Sequence, residues 1–153
     1  MAIRSIERRT LLKVVCASTG SLCGALAGCG SAPQTPDQNL VSLPAVIGGR
    51  VEIPIDMFPM LQEVGGGVVG RARGFDEPLA ITRQGDKSFF AFAAMCTHMA
   101  CVVRWNGLNA TLDCPCHGST FDLDGKVLTG PATKPLRLLP TEFDGAIVGV
   151  ITG

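Results

Sequence analysis

Two short boxes, Cys96-Thr97-His98-Met99-Ala100-Cys101 and Cys114-Pro115-Cys116-His117-Gly118-Ser119, hold both histidines of this chain and every cysteine beyond its N-terminal segment. Each offers one thiolate and one imidazole, Cys96 with His98 and Cys114 with His117, and fifteen residues separate His98 from Cys114. Two loops brought together can thus present two sulfur and two nitrogen donors, a set that suits iron–sulfur chemistry or zinc. Cys101 and Cys116 are left over, one near the end of each box, where a disulfide could tie the loops together. A zinc clip rarely needs such a tie.

The pattern resembles the Rieske iron–sulfur family, whose boxes read Cys-x-His-x-x-Cys and Cys-x-Cys-His-Gly-Ser in the members with a disulfide. The resemblance implies that Cys96 and Cys114 bind one iron of a single 2Fe-2S cluster and that His98 and His117 bind the other. It implies a disulfide between Cys101 and Cys116, a hydrogen bond from the Ser119 hydroxyl to a bridging sulfide, and a covering loop at Gly130-Pro131-Ala132. The fold it implies over residues 50–153 is all-β: a small antiparallel β sandwich with an inserted cluster-binding subdomain at its tip. In the family the histidines lie at that tip and meet a quinol or an electron-transfer partner.

Charge counting gives the chemistry. Two ferric ions, two sulfides and two thiolates sum to zero when both imidazoles are neutral, whereas a four-Cys cluster starts at minus two. Adding an electron to the neutral centre is easier, so the mixed ligand set raises the potential. Reduction also places negative charge beside His98 and His117, which makes their outer nitrogens hold protons more tightly. One departure from the quinol-oxidising members stands at Phe121, where they usually carry a Tyr that bonds to a cysteine sulfur; this chain has no Tyr. Loss of one donor implies an intermediate potential, suited to a low-potential quinol or to a different partner.

The elements that must hold these boxes read as short strands. Alternating or β-branched runs bounded by Gly, Pro and Asp place strands at 50–55, 67–73, 78–82 and 88–94, with Gln84-Gly85-Asp86-Lys87 as the turn between the last two. Residues 136–143 and 146–152 read as a hairpin around Asp144-Gly145, a dipeptide that tolerates positive φ. Helix signals are few: residues 57–64 allow one short turn, limited by Pro54 and Pro59. The boxes therefore form an insertion at about 95–135 between strands of a β base. Trp105 is read as packing under the first box, and Phe89, Phe90 and Phe92 as core or edge packing. The Gly65-Gly66-Gly67 run lacks the Gly-Lys-Ser/Thr of a phosphate-binding loop and reads as a turn.

The N-terminus reads as an address. Arg8-Arg9-Thr10-Leu11-Leu12-Lys13 resembles the twin-arginine export signal and precedes an uncharged, mostly apolar run at 14–28. Fifteen residues at about 1.5 Å each fall short of a bilayer core of roughly 30 Å. Leu26-Ala27-Gly28-Cys29 looks like a bacterial lipobox, which makes Cys29 the lipidation site; the alternatives are cleavage after Ala27 or an uncleaved anchor. The organisation expected is thus a signal with lipobox at 1–29, a tether at 30–44 and the Rieske domain at 45–153. The twin-arginine route carries folded proteins, so a cluster built in the cytoplasm is exported intact, and the disulfide closes on the oxidising side.

Beyond Cys29 the chain carries nine basic and twelve acidic side chains. With no basic stripe, nucleic acid is not an expected partner. The function expected is one-electron transfer by a membrane-anchored protein on the outer face of the bacterial cytoplasmic membrane. It would be the iron–sulfur subunit of a quinol:cytochrome c oxidoreductase, with a cytochrome b partner and a c-type cytochrome as acceptor. The alternatives are a small subunit serving the large subunit of an exported oxidase such as arsenite oxidase, or a free-standing Rieske carrier. A dioxygenase ferredoxin is disfavoured by the export signal and the disulfide pair, and a structural zinc protein would be colourless.

Overall fold

The computed structural model describes residues 40–153. The twin-arginine motif, the lipobox with Cys29 and most of the tether lie outside the described residues.

The strands form where β-branched and apolar residues alternate. In β2 (Arg50–Pro54) Val51 and Ile53 are buried while Arg50 and Glu52 face outward. This strand pairs antiparallel with β12 (Ile147–Ile151), which pairs with β11 (Thr141–Phe143), giving a three-stranded sheet. The Asp144-Gly145 turn joins β11 to β12 as expected, with Gly145 at φ 106°. The Asp144 carboxylate accepts the N–H groups of Ala146 and Ile147, which hold it below the usual carboxylate range.

The second sheet is five-stranded, in the order β1 (Val41–Leu43), β3 (Gly67–Ala72), β4 (Leu79–Gly85), β5 (Ser88–Ala93) and β10 (Leu138–Leu139). Strand β4 is buried on both faces from Leu79 to Thr82, because the sheet separates two cores. Val68, Ile81 and Ala91 point into a core shared with Val51, Ile53, Val148 and Val150 of the three-stranded sheet. Their neighbours Val69, Ala80 and Phe92 point the other way, into a core that contains Cys96 and Cys114. The period-two alternation of one sheet thus feeds both the sandwich and the site.

The third sheet is the inserted subdomain: β6 (Arg104–Asn106), β7 (Thr111–Asp113), β8 (Thr120–Phe121) and β9 (Val127–Thr129). It docks against β3 through Trp105, whose ring lies so close to Gly67 that a Cβ there would fall 2.6 Å from it. Trp105 also packs against the core that contains Cys96, close to its expected place.

Three details differ from the sequence reading. Residues 136–143 do not form one strand: β10 pairs with β5, and β11 pairs with β12 in the other sheet. The switch occurs at Pro140, which cannot donate to a ladder. The expected tether stops short of Pro44, since Val41–Leu43 pairs with Gly70, Arg71 and Ala72 and makes the one parallel pairing among the described strands. Residues 57–64 hold no α-helix; there are two 3-10 turns, Ile55–Met57 and Pro59–Leu61, the second anchored by Arg83, which donates to the carbonyls of Leu61 and Gln62.

Candidate metal centre

The two boxes have the same backbone despite different sequences. In the first, Cys96 N–H donates to the carbonyl of Cys101 (2.8 Å) and Ala100 N–H to that of Cys96 (2.8 Å). In the second, Cys114 N–H donates to the carbonyl of Ser119 (2.7 Å) and Gly118 N–H to that of Cys114 (3.0 Å). Each loop is closed by a flanking antiparallel pair, Met95 with Val102 and Asp113 with Thr120. Each bends at a left-handed residue, Ala100 at φ 54° and Gly118 at φ 75°. Cys96 therefore corresponds to Cys114, and both sulfurs are held inward, each residue only 3% exposed.

The histidines differ in position, His98 two residues after its cysteine and His117 three after, yet both project outward and their rings meet edge to face at 4.8 Å between centroids. Cys101 and Cys116 are joined by a disulfide that links the loops, with Cα atoms 6.4 Å apart. Burial pushes the Cys114 thiol up from its ordinary range, and a hydrogen-bonding contact with Cys96 adds to this. The N–H groups of Cys116 and His117 are directed at the Cys114 sulfur and oppose the rise. Such donors favour negative charge on sulfur.

The loop expected to cover the cluster is fastened to both boxes. Ser119, fully buried, accepts the N–H of Ala132 at 3.0 Å on its hydroxyl oxygen. Thr97 donates its hydroxyl to the carbonyl of Lys134 at 2.6 Å. Sequence reasoning singled out Ser119 and the Gly130-Pro131-Ala132 loop and missed Thr97, whose only sequence signal is its place inside the first box. Phe121 is also fully buried and packs in the same core as Cys96 and Cys114.

The donors form two pairs, thiol with thiol inside and imidazole with imidazole outside. A mononuclear zinc needs four ligands around one ion, whereas a binuclear cluster needs two ligands for each of two irons. The arrangement fits the second case. The family model of the Rieske [2Fe-2S] domain matches residues 59–140, more than half of the chain.

The chain belongs to the Rieske family. Its cofactor is accordingly one 2Fe-2S cluster. Similar curated proteins include the cytochrome b6-f complex iron-sulfur subunit of Prochlorococcus marinus (strain MIT 9515), 42% identical over 66 residues, which covers 43% of this chain and 37% of that protein. Another is the cytochrome b6-f complex iron-sulfur subunit 1 of Nostoc sp. (strain PCC 7120), 51% identical over 49 residues, covering 32% of this chain and 27% of that one. The match thus spans about two fifths or less of these relatives. Among solved structures, a quaternary ammonium Rieske monooxygenase shares the fold, with a TM-score of 0.50 and 18% identity over 62% of this chain and 29% of that one. No helix among the described residues is long and apolar enough to cross a membrane.

Proposed function

We propose that Cys96 and Cys114 bind one iron and His98 and His117 the other, in an exported one-electron carrier anchored to the outer face of a bacterial cytoplasmic membrane. In this reading the chain is the iron–sulfur subunit of a quinol-oxidising complex and passes electrons to a c-type cytochrome. The observation that carries it is the asymmetry of the donors: two buried sulfurs behind two exposed imidazoles that touch each other.

A bound 2Fe-2S cluster supplies one-electron transfer. The chain supplies the rest. Each imidazole can ligate through one nitrogen and keep the other as a proton-holding edge. The outer edges of His98 and His117 would then offer a quinol hydroxyl a proton acceptor at the exposed face. The N–H groups aimed at Cys114 favour negative charge on its sulfur, and Ser119 and Thr97 fasten the adjoining loop to the two boxes. The names of the cytochrome b6-f relatives support the quinol-oxidising assignment.

A second reading, the small subunit of an exported oxidase such as an arsenite-oxidising enzyme, is favoured by Phe121, which lacks the hydroxyl of the usual Tyr. Purification of the tagged chain from native membranes separates the two: a cytochrome b partner is expected, and a molybdopterin oxidase in its place would overturn the first reading. For the address, Arg8→Lys with Arg9→Lys should retain the protein in the cytoplasm, and Cys29→Ser should release it from the membrane fraction. Normal export of the first variant, or an unchanged membrane-bound product of the second, would refute the corresponding motif.

A further inference from the structure

Asp113 immediately precedes Cys114, at the end of β7, one of the two inner strands of its sheet. Side chains alternate along this strand: Leu112 is fully buried in the core that holds the cysteines, and Asp113 lies on the opposite face with Thr111. The carboxylate is half-buried, and each oxygen is held by a side chain of its own hairpin. Asn106 donates its amide to Oδ2 at 2.7 Å, and Thr111 donates its hydroxyl to Oδ1 at 2.7 Å. Asn106 is fixed in turn, because its Oδ1 accepts the N–H groups of Leu108 at 3.1 Å and Asn109 at 3.4 Å in the hairpin loop. The result is an anchored anion at the base of the second box.

We infer that Asp113 is a positioning residue for charge, which holds the reduction potential of the centre below the value its ligands alone would give. The inference rests on the reading of Cys114 as a ligand. Adding an electron beside a fixed negative charge is unfavourable, and the cost is larger where solvent screens the charge less. The charged group facing Asp113 is Arg104, its cross-strand partner on β6; on the other side its partner is Thr120 of β8. Arg104 is exposed and so more strongly screened, whereas Asp113 is half-buried and clamped. The anion is therefore the less screened of the two.

Asp113→Asn removes the charge and keeps the network: Oδ1 can accept from Asn106 while the new amide donates to Thr111. In the full chain carrying its cluster, at one pH and low ionic strength, protein-film voltammetry should show the reduced form favoured at least threefold more, an upward shift of about 30 mV at 59 mV per tenfold. Asp144→Asn, which makes the same change in net charge in the β11–β12 turn, should move the potential by less than half of that. Asp113→Glu should keep the parent potential. Asp113→Thr serves as a second neutral variant suited to a strand. An unchanged potential in Asp113→Asn with an intact cluster spectrum, an equal shift in Asp144→Asn, or loss of the cluster in both neutral variants would overturn the inference. Failure of the ligand reading is separately visible: a Cys114→Ser variant with the parent's spectrum would refute that reading, whatever Asp113 does.

Discussion

Ala100 and Gly118 occupy the same position in the two boxes, four residues after Cys96 and Cys114, and both adopt the left-handed backbone that closes the loop by an N–H to cysteine carbonyl bond. A left-handed conformation costs an L-residue roughly 1–2 kcal/mol and costs glycine little. The first box carries this strain and the second does not. Ala100→Gly should therefore stabilise the protein by about 1 kcal/mol. Gly118→Ala should destabilise it by a similar amount through strain alone, since a Cβ there would meet nothing within 4 Å. Thermal unfolding of the two variants tests this, and shifts of the same sign would refute it.

The contact of Gly67 with Trp105 couples the five-stranded sheet to the subdomain, and it leaves no room for a methyl group. Gly67→Ala should destabilise by about 1–3 kcal/mol, the usual cost of overpacking. Denaturant unfolding measures it, and a Gly67→Ala variant as stable as the parent would show that the ring yields freely.

Ser119 and Phe121 are both fully buried, and each is expected to bear on the potential. Ser119→Ala removes a hydroxyl from the site and leaves the N–H of Ala132 without its partner, so both potential and stability should fall. Phe121→Tyr offers a phenol to the buried sulfurs. It should raise the potential, by on the order of 60–130 mV for a hydrogen bond of about 1.5–3 kcal/mol to a charged group. Because Phe121 is fully buried, some stability should be lost with that gain. Protein-film voltammetry at one pH reads both variants, and unchanged potentials would show that neither side chain faces the cluster.

The Cys101–Cys116 disulfide closes a loop of sequence separation 15. By chain entropy such a closure contributes about 3 kcal/mol. Cys101→Ser should still assemble the centre but lose its colour sooner on warming. Equal lifetimes for variant and parent would mean that the cluster itself, and not the disulfide, holds the loops together.

The chemistry was more legible in the sequence than the geometry that presents it. Cys96, His98, Cys114 and His117 announce themselves because few side chains can bind soft metals, and their spacing needs no structure to be noticed. The strands at 50–54, 67–72 and 88–93 were legible because each is long enough to show its period. Strands β6 to β9 hold only two or three residues each and show no period, so the sequence marks no strand among them. The equivalence of the two boxes was hidden for another reason. It lies in backbone hydrogen bonds, while the sequences place His98 and His117 at different offsets. The sheet switch at 138–143 was lost because residues 136–143 were read as a single strand, although Pro140 marked the point where a single ladder could not continue.

The central claim is that two sulfurs and two histidine nitrogens hold the cluster, and pulsed EPR of the reduced protein tests it most directly. With histidine labelled by nitrogen-15, the reduced centre should give a low-average-g signal with couplings from two histidine nitrogens, and both His98→Ala and His117→Ala should abolish it. A signal without histidine nitrogen coupling, or a colourless protein carrying stoichiometric zinc after native export, would contradict the account.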